Sequence, residues 1–118
     1  MLLCIRNLIK GDAYAKIHFG NNKLEKILSN PRLIKKYYPR EFNDVIIRLK
    51  ELTTVDNLSL ISHRPPPRRH KLKGEYRNCW AVDISSKKRI IFKPKPQNII
   101  KLTEIKEIEI IKIADYHI

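Results

Sequence analysis

The sequence predicts an α+β domain in which an N-terminal strand and helices pack on one face of a small, mostly antiparallel sheet. Three observations carry that expectation. Phe42, Val45, Ile46, Leu49 and Leu52 recur at the three/four spacing of one apolar helix stripe. Trp80, Val82 and Ile84 alternate toward one side of a strand, turn at Ser85-Ser86-Lys87, and are followed by Ile90 and Phe92 on a partner strand. Glu107 to Ile113 alternates again, with apolar residues on both sides, as in a central or near-central strand. Helices that precede a run of hairpin-linked strands form a helical layer over one sheet face.

Taken in order, Met1 to Ala13 reads as an N-terminal arm, broken at Gly11-Asp12 from a domain spanning residues 14–118. Tyr14 to Phe19 alternates loosely and ends at Gly20, which predicts the first strand. Asn22 precedes Glu25 by three residues, the spacing of a capping box, ahead of Leu24, Ile27 and Leu28. Asn30-Pro31 starts the next helix, Asn as cap and Pro in the first turn, where its missing N–H is harmless; Leu33, Ile34 and Tyr37 carry it to Tyr38. Pro39 opens the third helix, with Arg40, Asp44, Arg48 and Lys50 off its apolar stripe. Thr53 to Arg64 is a connector, and Pro65-Pro66-Pro67 a stiff spacer. Lys93 to Asn98 reads as a loop, and Ile99 to Ile105 as either a half-turn or an extended link. In the last strand Ile108, Ile110 and Lys112 are expected on one side, Glu109, Ile111 and Ile113 on the other. Internal repeats and low-complexity segments are absent.

Charge points to the partner class. The 118 residues hold 25 basic and 12 acidic side chains, a formal +13, with a sequence pI of about 10.0. Such a field attracts polyanions, nucleic acid first. The apolar share, 42%, suits a folded domain. Apolar runs fall short of the roughly 18 residues of a membrane span, and Arg6 interrupts the apolar start, so neither a signal peptide nor a membrane partner is expected. Cys4 and Cys79 fit free thiols in a reducing cytoplasm better than a disulfide framework. Zinc-ligand spacings do not occur, and no cofactor is expected.

The charges cluster. From His63 to Arg77 stand Arg64, Arg68, Arg69, Lys71, Lys73 and Arg77 against one acid, Glu75. Gly74 would let a backbone come close, and Tyr76 offers a stacking face. Arg68, Arg69, Lys71, Tyr76 and Arg77 are therefore candidate RNA-binding residues. Metal-free RNA cleavage needs a group that removes the 2′-hydroxyl proton, one that protonates the leaving 5′-oxygen, and positive charge on the phosphorane. His70 and His117 sit in cationic or polar surroundings suited to proton transfer, whereas His18 reads as structural and His63 as solvated. Lys73 and Arg89 suit anion stabilisation. Arg89 stands mid-strand, where a charge needs a role or a partner such as Asp83 across the hairpin.

His70-x-Leu72-Lys73-Gly74, an aromatic-containing strand, Arg89-Ile90-Ile91-Phe92, Ile110 to Ile113 and Asp115-Tyr116-His117 together resemble the HigB branch of the RelE superfamily of toxins. The resemblance spans roughly Ala15 to His117. It implies a RelE-like fold with the active groove on the face opposite the helices. It also implies a ribosome-dependent mRNA endonuclease of a type II toxin–antitoxin system, with a HigA-like antitoxin, the ribosome and mRNA as partners. It assigns His70, Lys73, Arg89, Asp115, Tyr116 and His117 to the catalytic set: His117 or Tyr116 handles the 2′-hydroxyl, His70 serves the leaving oxygen or grips phosphate, Lys73 and Arg89 hold the phosphate charge, and Asp115 orients a neighbour. The chain departs from the commoner pattern in its extra residues before the first strand and its Lys-Pro content after Phe92. Two other readings fit the composition: a ParE-like toxin of the same fold that poisons DNA gyrase, and a nonenzymatic basic nucleic-acid-binding module.

Overall fold

Described by a computed structural model are residues 17–116. The chain enters as strand β1 (Ile17–Phe19); residues 14–16 of the expected strand lie outside the described residues. Helix α1 (Asn22–Leu28) follows. Its cap is Asn21, one residue before the position the sequence suggested: the Asn21 side chain accepts from Leu24 N at 2.7 Å. Asn21 has extended backbone angles and Asn22 is already helical, so only Asn21 can turn its carbonyl oxygen onto the orphan N–H groups. Helix α2 (Pro31–Tyr37) starts as expected, with Asn30 accepting from Arg32 N and Pro31 in the first turn. Helix α3 (Phe42–Thr54) begins three residues after Pro39 and buries Val45, Leu49 and Leu52. Arg48, expected off the stripe, is also buried and pairs with Glu51 one turn on.

The sheet has five strands in the order β1-β5-β4-β3-β2, where β2 is His70–Lys71, β3 Trp80–Asp83, β4 Lys88–Pro94 and β5 Ile108–Asp115. β1 runs parallel to β5 and the other three pairings are antiparallel. β5 is thus an interior strand next to the edge, paired on both sides, as its two-sided apolar pattern requires, and β4 is the central one. β4 continues through Lys93 and Pro94, which pair with Glu109 and Ile108, so the loop begins later than expected. The short 3₁₀ turn Leu102–Glu104 settles the ambiguous link before β5.

Trp80, Val82 and Ile84 with Ile90, Phe92, Ile108 and Ile110 face the helices and build the main core with Leu28, Ile34, Val45 and Leu49. Ile113 joins that core, contrary to the strict alternation expected. Ile91 pairs with Lys112 and Phe92 with Ile110, so Ile111 is an extra residue in β5. Such a bulge shifts the facing of all that follows by one position. A smaller apolar cluster, Leu72, Cys79, Ala81 and Ile91 with Tyr76, Ile111 and Ala114, floors the opposite face. Among the described residues no helix is long and apolar enough to cross a membrane.

Candidate active site on the open sheet face

The face opposite the helices gathers His70, Arg89 and Tyr116 of the expected catalytic residues, with Arg68 and Tyr76 of the expected RNA-binding ones. In β3 the side chains Ala81 and Asp83 point there, and in β4 Arg89 and Ile91 do, because their neighbours fill the core. The bulge delivers Ala114 opposite Arg89. Tyr116, two residues further, follows the same facing, and its backbone N–H donates to Lys87 O at 2.8 Å. A residue's facing at this end of β5 is therefore set by Ile111 rather than by simple alternation.

Asp83 is the hub. Arg68 grips it with two bonds, Nε to Oδ2 at 2.6 Å and Nη2 to Oδ1 at 3.2 Å, the paired geometry that strengthens arginine–carboxylate contacts. The Tyr116 hydroxyl accepts from Arg68 Nη2 at 2.5 Å and donates to Asp83 Oδ1. Burial, then the hydrogen bond to Asp83, push the Tyr116 phenol above its ordinary value, against the pull of Arg68 and Arg89. At neutral pH Tyr116 is accordingly a phenol, a donor of hydrogen bonds. Arg89 pairs in register with Asp83 but does not bond to it. Its guanidinium lies 4.7 Å from the Tyr116 ring centre, a cation–π contact. Its buried Nε has no hydrogen-bond partner among the described residues. A donor left in that condition costs about 1–3 kcal/mol.

His70 shares this face through its pairing with Ala81. Its Nδ1 donates to the Arg68 carbonyl at 2.8 Å, so the neutral ring presents Nε2 as an acceptor. Strand spacing and rise place the His70 and Arg89 backbones about 12 Å apart, a gap their side chains can close around one phosphate. Arg68 itself has φ +46, left-handed for a residue with a side chain. That strain costs on the order of 1–3 kcal/mol and often marks functional positions.

The basic run does not act as one patch. Arg68, His70, Leu72 and Tyr76 turn to the open face, whereas Arg69 and Lys71 turn to the helix side: Arg69 donates to Ile61 O and stacks 5.4 Å over Trp80, and the Lys71 amine caps Arg77 O. Desolvation lowers the Arg69 guanidinium. Arg77 and Lys73 are exposed. Lys73 lies beyond Leu72, which bonds to Cys79; four residues of strand rise and two strand spacings put the Leu72 backbone roughly 16 Å from that of Arg89, and Lys73 farther. The structure therefore does not bring Lys73 to Arg89. Gly74 has φ +70 with open space where a Cβ would stand, so this glycine serves the turn's backbone angle. Asp115 pairs with Lys88 at 2.5 Å, near Tyr38 and Glu41 on the helix side, away from Arg89. The carboxylate that orients Tyr116 is Asp83, whose signal in the sequence was its place opposite Arg89 in the hairpin. His117 lies outside the described residues.

The remaining titratable residues match their plainer readings. His18 bonds to Glu107 at 2.8 Å, His63 is exposed, and Cys79 is a buried free thiol raised by desolvation. A cleft of about 870 Å³ lies on the helix side beside Trp80, Ile99, Ile100 and Leu102. Among the described residues Lys71 and Lys101 are its only titratable lining groups. Comparison with protein-family models, with curated proteins and with solved structures finds no match to this chain.

Proposed function

We propose that this chain is a metal-independent endoribonuclease, a RelE-like toxin of the HigB type that cuts mRNA on the ribosome and is restrained by an antitoxin. The observation that carries the reading is the Arg89–Tyr116–Arg68–Asp83 cluster with His70 on the open sheet face. Two guanidinium groups, one with a buried unpartnered nitrogen, suit the charge that grows on a phosphate under attack. In the proposed reaction the 2′-oxygen attacks phosphorus in line, its proton leaves to a base, and the 5′-oxygen departs with a proton from an acid. His70 Nε2, the ring nitrogen not bonded to the Arg68 carbonyl, accepts or returns a proton in this reading. Tyr116, whose single hydroxyl proton goes to Asp83, positions Arg68 and Arg89 beside the phosphate. The resemblance adds His117 and Lys73 to these roles. The surplus of positive charge supports phosphate contacts with ribosomal RNA and fast capture of an acidic antitoxin.

The test is primer extension on mRNA from cells expressing wild type, Arg89→Ala and His117→Ala. Codon-phased cuts in wild type alone are expected. DNA damage with intact transcripts would favour the gyrase-poisoning alternative. RNA binding without cuts would favour a binding module.

A further inference from the structure

Tyr116 belongs to two places at once. Its ring carries the open-face cluster, and it also forms a wall of a cleft of about 550 Å³ between the sheet's end and the α2–α3 loop. The other walls are Tyr37, Arg40, Glu41, Lys87 and the Lys88–Asp115 pair. Its volume lies within the roughly 300–1,000 Å³ usual for small-ligand sites. Tyr37 is 48% exposed, unusual for a large aromatic side chain. Lys36 sits 5.7 Å from its ring centre. Among the described residues Lys36, Arg40 and Lys87 are in no ion pair. An accessible aromatic face ringed by unpaired cations is the pattern that holds a single-stranded base and its phosphates.

We infer that this cleft is a nucleotide subsite: it takes the nucleotide next to the scissile phosphate, with the base on Tyr37 and the adjoining phosphate between Arg40 and Lys87. This rests on the endoribonuclease reading. Tyr116 borders both places, with Arg89 against its ring and the cleft beside it, so an RNA strand with a phosphate at Arg89 would cross Tyr116 to reach the cleft. Glu41 stands on the same wall, so the site discriminates among bases: its carboxylate accepts from a base that presents an amino group.

The test has two arms. In the binding arm, a 2′-O-methylated single-stranded oligoribonucleotide, which cannot be cut, is titrated against wild type, Tyr37→Ala, Tyr37→Phe and Arg40→Gln. Tyr37→Ala should weaken binding about 5- to 150-fold, the range of a lost base stack, and Tyr37→Phe should restore it. Arg40→Gln should reduce the slope of log affinity against log salt by about 1. In the cleavage arm, Tyr37→Ala should change the distribution of cut sites. Wild-type affinity and cut sites in Tyr37→Ala and Arg40→Gln, beside loss of cutting in Arg89→Ala, overturn the subsite and leave the nuclease reading standing. If wild type cuts nothing, the nuclease reading fails, and the binding arm alone decides the cleft. Weakened binding of an acidic protein partner with unchanged RNA affinity would show a protein-docking site and overturn the inference.

Discussion

Tyr116 reaches Asp83 across the whole width of β4: its hydroxyl donates to the Asp83 carboxylate, although 33 residues of chain separate them. Arg68, from the basic run, closes the triangle from a third segment. The end of β5, the hairpin and the loop before β2 are thereby tied at one point, and Arg89 lies against the tyrosine ring at that point.

Asp83 should therefore control the protonation of Tyr116. Burial raises the phenol above its usual 10.0 and the Asp83 hydrogen bond adds to it. Asp83→Asn removes a charge that opposes phenolate formation, so the Tyr116 ionisation should move down. Phenolate absorbance, read as the difference from Tyr116→Phe in each background, measures it. An unchanged midpoint would remove Asp83 from this role.

The same shift predicts a stability limit at high pH. Tyr38, raised mainly by desolvation, and Tyr116 both have folded values above the unfolded one. Their contribution is fully present below about pH 10 and is lost as pH rises through the folded values. Denaturant midpoints should decline above pH 10 in wild type, and less steeply in the Tyr38→Phe, Tyr116→Phe double variant.

Arg89 should separate activity from stability. Among the described residues its guanidinium makes no ion pair and its Nε has no hydrogen-bond partner. Arg89→Met keeps the aliphatic packing and removes the orphaned donor while losing the Tyr116 cation–π contact, two opposed effects, so unfolding free energy should not fall by more than about 1 kcal/mol. Transcript cleavage should fall about 100- to 1,000-fold, the cost of one lost electrostatic donor.

Arg68 should show its backbone strain. At φ +46 an alanine loses the Asp83 fork and keeps the strain, whereas glycine loses the fork and relieves it. The strain relieved, about 1–2 kcal/mol, exceeds the entropy that glycine gains in the unfolded chain, so Arg68→Gly should be more stable than Arg68→Ala by on the order of 1 kcal/mol, as measured by urea unfolding.

Phe92, fully buried where β4 meets the helical layer, should be among the costliest positions to truncate. Phe92→Ala should lower unfolding free energy by about 3–5 kcal/mol, and thermal melting will report it.

Local physics was legible where it acts alone. Asn30-Pro31 opens α2, the Phe42-to-Leu52 stripe buries α3 apart from its neighbour Arg48, and the two hairpin strands face the core as their alternation requires. These features depend on a few adjacent residues, on their periodicity and on cap geometry. The α1 cap was off by one because two asparagines adjoin and only backbone angles distinguish them.

What the sequence determined was the layer order, the helix stripe, the hairpin and the positive charge, with His70, Arg89 and Tyr116 as polar groups of one sheet. Tertiary structure alone decided which of the basic residues share a face, because a strand turns successive side chains to opposite sides. It turned Arg69 and Lys71 from Arg68 and His70, and it put Asp115 with Lys88. One bulged residue, Ile111, set where Tyr116 points, and so made Asp83 its partner; such a register shift has no mark in the chain that a local pattern can reveal.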